Sequence, residues 1–85
     1  MPPIVIYTKS YCPYCHAAKD LLRRKGAAFE EISVDGDRAA QAAMAVKAGG
    51  RSTVPQVFIG AAHVGGCDDL YDLESAGRLD SLLAG

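Results

Sequence analysis

The sequence predicts an α/β fold: a four-stranded mixed sheet in the order βαβαββα, with helices on both faces. Three observations predict it. A run of β-branched and aromatic residues, Ile4-Val5-Ile6-Tyr7-Thr8, is followed by an amphipathic segment and a second strand-like run, the pattern of a β–α–β unit. Two more short apolar runs, Gln56–Ile59 and His63-Val64, are separated only by Gly60-Ala61-Ala62, so they must form an antiparallel hairpin. Helical patterns fill the stretch between these halves and follow the second.

Each element has a local reason. The first run does not alternate, so it reads as a strand buried on both faces and therefore central. Lys9 to Cys12 form a loop, and Pro13 suits the first helical turn, where its missing N–H is not needed. The helix presents Ala17, Ala18, Leu21 and Leu22 on one face, with Lys19, Asp20, Arg23 and Arg24 between them, and Gly26 ends it. A second strand follows at about Phe29–Val34. Asp35-Gly36-Asp37 is a turn, and Asp37 caps a second helix through Met44, Val46 and Lys47 that stops at Gly49-Gly50. Gly65-Gly66 breaks the fourth strand, and Cys67 or Asp68 opens a helix with Leu70, Tyr71 and Leu73. A final short helix holds Leu79, Leu82 and Leu83. A right-handed crossover in the first unit and the hairpin in the second give a thioredoxin-like fold.

The 85 residues, 49% of them hydrophobic, support one domain spanning 1–85. A net charge of -1 gives no support for nucleic-acid binding. No apolar stretch approaches the ~20 residues needed to span a bilayer. Met1-Pro2-Pro3 leads straight into the first strand with no export signal, so the expected location is the cytoplasm. Three cysteines are an odd set for structural bridges. In a reducing compartment Cys12 and Cys15, in Cys12-Pro13-Tyr14-Cys15, are expected to be catalytic.

Thiol–disulfide exchange needs a thiolate, a second thiol to resolve the mixed disulfide, and access for a partner. A Cys-x-x-Cys at a helix N-terminus supplies all three. The first sulfur sits beside unpaired backbone N–H groups and the positive end of the helix dipole, which favours the thiolate. The second lies within the first turn and is more sheltered. Cys12 is therefore the expected nucleophile and Cys15 the resolving thiol, with Lys9 a nearby positive charge. The rival for one Cys-x-x-Cys is half a zinc site. Zinc sites usually pair two such sets, whereas Cys67, His16 and His63 are scattered singly. No metal is expected. His16 is expected to face water, His63 to be structural or superficial, and Tyr7 to pack in the core.

With these residues in place the chain resembles the glutaredoxin family, its small bacterial-type dithiol members in particular. The resemblance rests on Cys12-Pro13-Tyr14-Cys15, on Thr53-Val54-Pro55 before the third strand, and on Gly65-Gly66-Cys67-Asp68-Asp69 before the following helix. Together with Ile6-Tyr7-Thr8-Lys9 it extends over essentially the whole chain. It implies glutathione as co-substrate, with no permanently bound cofactor. It also implies a cis Pro55, with the Val54 backbone turned toward Cys12 to pair with the cysteinyl part of a bound peptide. The γ-glutamyl carboxylate would meet the Cys67 and Asp68 N–H groups after Gly66, and the Asp68 side chain would face the γ-glutamyl ammonium. Lys9 would meet the glycine carboxylate, with Arg51 the alternative, and Tyr14 would flank the cleft beside Thr53. Asp69 and Asp72 read as plain solvated charges, and the Cys67 sulfur as a half-buried bystander.

The expected partners are glutathione and disulfide-containing or glutathionylated proteins, with ribonucleotide reductase a candidate through the resemblance alone. The chain is expected to act as a monomer, without nucleic acid or membrane. Two alternatives remain: a redoxin recharged by thioredoxin reductase, and a dimeric iron–sulfur cluster carrier. The Gly65-Gly66-Cys67-Asp68 end argues against the first. Cys15 and the stiffening Pro13 argue against the second.

Overall fold

In the computed structural model, which describes residues 1–85, eight elements follow in order: β1 Ile4–Thr8, α1 Pro13–Arg24, β2 Glu30–Ser33, α2 Arg38–Lys47, β3 Gln56–Ile59, β4 Ala62–Gly65, α3 Cys67–Ser75 and α4 Leu79–Ala84. The sheet runs β2-β1-β3-β4. β1 pairs parallel with β2, placing Tyr7 opposite Ile32, and antiparallel with β3, placing Ile6 opposite Val57. The fold is the expected four-stranded mixed sheet of the thioredoxin type, with β1 inside it.

Period-two alternation divides β1 between two unequal cores. Ile4 and Ile6 face one side and join Val57 and Ile59, Ala18, Leu21 and Leu22 of α1, Leu70 of α3, and Leu79 and Leu83 of α4. The opposite side holds a smaller cluster of Tyr7, Val34 and Met44, flanked by Val5, Ile32, Val54 and Phe58. The alanine-rich α2 buries only Met44, so one long side chain anchors a helix with little else to pack. Three helices thus lie on one face and α2 alone on the other.

Two strands shift from their sequence bounds. The second strand is shorter at both ends, Glu30–Ser33, because its flanking apolar residues leave the sheet to pack. Val34 turns into the smaller core while its N–H still reaches the Thr8 carbonyl at 2.9 Å, and Phe29 sits under the Arg23 guanidinium, 5.5 Å from the ring centre. Ala62 pairs with Ile59 rather than turning, which leaves Gly60-Ala61 as the turn. The third helix opens at Cys67, one of its two expected starts, with Gly66 as its cap residue. No helix is long and apolar enough to cross a membrane.

Candidate active site

Cys12 is the cap residue of α1, with extended backbone at φ -126° and ψ 100°, and Pro13 fills the first helical position. The Cys15 N–H, one of the first-turn amides without an intrahelical partner, donates to the Cys12 sulfur at 3.1 Å. Cys12 is half-buried and its thiol points to the Val54 carbonyl at 3.8 Å. The same helix turn carries Cys15 into the interior, where it is fully buried. Burial, and then the adjacent Cys12 sulfur, push the Cys15 thiol up to about 12, with the Lys9 backbone N–H working in the opposite direction. Both cysteines are free thiols. One sulfur is reachable and supported by a backbone donor; the other is sheltered and holds its proton.

The loop leading to Cys12 is fastened at its start. The Ser10 N–H donates to Asp35 Oδ2 at 2.8 Å and the Ser10 hydroxyl donates to the same oxygen. These bonds hold the Asp35 carboxyl below its usual range. A second tie lies at the end of β1, where Thr8 Oγ1 (2.7 Å) and Lys19 Nζ (3.0 Å) both donate to Glu31 Oε2. Thr8 first and Lys19 second keep that carboxyl low. The turn Asp35-Gly36-Asp37 therefore does more than reverse the chain. Nothing local in the sequence marks Asp35 or Glu31 for these tasks, because their partners lie 25 and 23 residues away.

Beside Cys12 opens a cleft of about 150 Å³. Thr53, Val54 and Pro55 line it, together with Gly66, Cys67 and Asp68 at the start of α3, and Tyr14 of α1. The Val54–Pro55 peptide is cis. Seven of the sequence-predicted residues thus meet at one place, although the chain between Pro55 and Gly66 makes a full hairpin. Lys9 is not among the lining residues; its charge acts on Asp35 instead. Arg51 does line the cleft. Tyr14 stays exposed, and Asp68 is exposed at the cleft. The Cys67 sulfur is buried rather than half-buried, and burial, then the Asp68 charge, raises its thiol.

One expectation changes, and the two histidines gain partners. Asp69 is not a plain solvated charge: its Oδ2 accepts from the Gly66 N–H and from Arg51 Nη1, both at 2.9 Å. His16 is exposed, yet its Nε2 lies 3.3 Å from the Ser10 carbonyl. His63 has a structural setting, bonded through Nε2 to the buried Gln56 Oε1 at 2.7 Å and stacked on Phe58 at 4.9 Å. Gln56 continues to Thr53 Oγ1 at 3.4 Å, at the cleft wall. No group of three or more His, Cys, Asp or Glu side chains gathers as a metal site.

Comparison with known proteins places this geometry among relatives. The family model described as Glutaredoxin matches residues 4–64. A glutaredoxin of Pseudomonas aeruginosa is 60% identical over 84 residues, covering 99% of this chain and 99% of the relative. Glutaredoxin 3 of Escherichia coli K12 is 55% identical over 83 residues, covering 98% and 99%. Among solved structures, the crystal structure of a buckwheat glutaredoxin–glutathione complex superposes with a TM-score of 0.88 at 38% identity, over 98% of this chain and 77% of the other. The solution structure of a Brucella melitensis glutaredoxin gives 0.86 at 55% identity, over 98% and 89%.

Proposed function

The chain belongs to the glutaredoxin family and is in general terms a thiol oxidoreductase, and on that premise we propose that it draws its electrons from glutathione. Its substrates are then protein–glutathione mixed disulfides and protein disulfides. The observation that carries this reading is the juxtaposition of the Cys12 sulfur, supported by the Cys15 N–H, with a cleft that offers the Val54 backbone and the N-terminus of α3. The buckwheat relative was crystallised with glutathione, which supports the same occupant here.

Glutathione in this cleft would pair its cysteinyl backbone with Val54 and set its γ-glutamyl carboxylate on the Cys67 and Asp68 N–H groups. Backbone donors at a helix start favour such an anion. Asp68 then faces the ammonium group. Tyr14, Thr53 and Pro55 bound the cleft, and Gly66 allows close backbone approach. The glycine carboxylate is assigned to Lys9, because Arg51 Nη1 is already engaged by Asp69 Oδ2 at 2.9 Å.

Two routes follow. In the first, the Cys12 thiolate attacks the glutathione sulfur of a mixed disulfide, the protein leaves as its thiolate and takes up a proton, and Cys12 carries the glutathionyl group. A second glutathione thiolate then attacks that group; glutathione disulfide forms and the Cys12 thiolate returns. In the second, Cys12 attacks a protein disulfide, Cys15 loses its proton and attacks the Cys12 sulfur, and the reduced protein leaves. Two glutathiones reduce the resulting Cys12–Cys15 disulfide and leave as glutathione disulfide. The Cys12 thiolate serves as both nucleophile and leaving group. We place the protein in the cytoplasm, as a single 85-residue domain working as a monomer.

The test is a coupled assay with glutathione, glutathione reductase and a small glutathionyl mixed disulfide, followed by loss of NADPH. Turnover that needs all three components is the expected result. Turnover with thioredoxin reductase and none with glutathione would replace this reading with the other redoxin type.

A further inference from the structure

Gly65-Gly66 reads in the sequence as a device that exposes amides. One of those amides is already taken. The Gly66 N–H and Arg51 Nη1 both donate to the same oxygen, Asp69 Oδ2, at 2.9 Å each. Arg51 stands in the loop between α2 and β3, two residues before Thr53, and Asp69 stands in the first turn of α3. The pair therefore joins the two chain segments that line the cleft.

The glycines make room for it. A Cβ on Gly65 would come within 2.8 Å of Arg51 Nη1 and would overlap the Asp69 carboxylate, and the backbone there has φ +116°, which disfavours a side chain in any case. A Cβ on Gly66 would stand 3.4 Å from Arg51 Nη2 and 3.5 Å from the Pro55 carbonyl. The guanidinium and carboxylate thus lie directly against the Gly65-Gly66 backbone.

We propose that Arg51 and Asp69 are positioning residues, a clamp that fastens the Arg51–Pro55 loop to the first turn of α3 and so fixes the width of the cleft. The proposal rests on the glutathione reading of that cleft. It divides the labour among the α3 amides: Asp69 occupies the Gly66 N–H, and those of Cys67 and Asp68 are left for the ligand. With side chains 48% and 42% exposed, the pair adds little as a surface ion pair alone. Its value is geometric, because one oxygen both caps the helix and holds the loop. The depressed Asp69 carboxyl, held first by the Gly66 N–H and then by Arg51, agrees with that double duty.

The experiment compares Arg51→Met, Asp69→Asn, the double variant and Arg51→Lys. Asp69→Asn keeps a carbonyl oxygen for the Gly66 N–H, and both positions are superficial enough for the variants to fold. Each single change is expected to raise KM for a glutathionyl mixed disulfide about fivefold, a size usual for contacting pairs, with kcat and the Cys12 alkylation rate unchanged within about twofold. The double variant should be no worse than the worse single, and Arg51→Lys should recover most of the loss. Unchanged KM in both singles, or effects that multiply in the double variant, would overturn the clamp. A rise with Arg51→Met but none with Asp69→Asn would also overturn it, and would make Arg51 a direct ligand. Amide exchange at Gly66 judges the clamp without any turnover. Arg51→Met should speed that exchange about fivefold although the hydrogen-bond acceptor of the amide is Asp69 and not Arg51, and unaltered exchange refutes the coupling even if glutathione activity is intact. Absence of glutathione-dependent turnover in the unaltered protein refutes the cleft's assignment instead.

Discussion

Replacing Cys15 by serine should separate the two routes, and the burial of Cys15 sets the size and pH dependence of the effect. The side chain is fully buried and its thiol is pushed up to about 12. At pH 7 about one molecule in 100,000 carries that thiolate, and at pH 9 about one in 1,000. The Cys12 charge is discharged once Cys12 holds a substrate, but burial is the largest cause of the shift and persists. Resolution by Cys15 should therefore accelerate about tenfold per pH unit between pH 7 and 9 wherever that step limits turnover. Mixed-disulfide reduction does not use Cys15. The N–H that supports Cys12 belongs to the backbone, so it survives the substitution. Cys15→Ser should keep mixed-disulfide activity within about threefold while losing turnover of protein disulfides and its steep pH dependence. Its buried hydroxyl costs roughly 1–3 kcal/mol of stability if no acceptor is near, which a thermal melt would register. The assay is steady-state turnover of a glutathionyl peptide and of a small disulfide-bonded protein, from pH 6.5 to 9. If Cys15→Ser loses the first activity while Cys12→Ser keeps it, the roles are reversed. A protein-disulfide rate limited by resolution and flat across that range would refute the argument from burial.

Three further outcomes follow from the same geometry. Asp68→Asn should raise KM for glutathionyl substrates about fivefold at unchanged kcat, the loss of about 1 kcal/mol of charge-assisted contact; a fall in kcat with constant KM would count against a binding role. Alkaline unfolding should be steep for the reduced protein. The raised Cys15 pKa means that the unfolded chain releases its proton first, so the Cys15 contribution is complete below about pH 8.5 and shrinks by up to ~1.4 kcal/mol per unit as pH rises toward 12. Cys15→Ala should flatten that slope in urea melts between pH 8 and 10, and an unchanged slope would exclude Cys15 as its source. Leu70→Ala should destabilise the fold by about 2–5 kcal/mol, because Leu70 is fully buried where α3 meets the larger core; a loss below ~1 kcal/mol by denaturant titration would mean that α3 is not docked as described.

Much of the fold was legible because its elements are marked locally. The unalternating Ile4–Thr8 run, Pro13 at a helix start and the turn glycines act over a few residues, and the structure follows them. The boundaries moved where tertiary packing outbid local pattern, as when Val34 left the strand for the smaller core. The candidate site divides in the same way. Cys12, Cys15 and the Gly66-Cys67-Asp68 turn could be read because each motif is short and its chemistry is set by a helix start or a glycine, whereas the role of Val54 came only through the family resemblance. Asp69 was misread because its sequence context, a first-turn carboxylate among others, suits a solvated charge equally well.

By itself, then, the sequence determined the order of strands and helices, the placing of two cysteines at a helix N-terminus, and the chemistry they are suited to. Only the tertiary structure decided which charges meet. Arg51 and Asp69 are 18 residues apart, Ser10 and Asp35 are 25, and Cys12 and Val54 are 42. Such pairings depend on how the strands stack and cross, and no periodicity along the chain encodes them. The unequal exposure of Cys12 and Cys15 is of both kinds. Their spacing puts the sulfurs in one helical turn, and packing of that turn against the sheet leaves one at the surface and takes the other out of water.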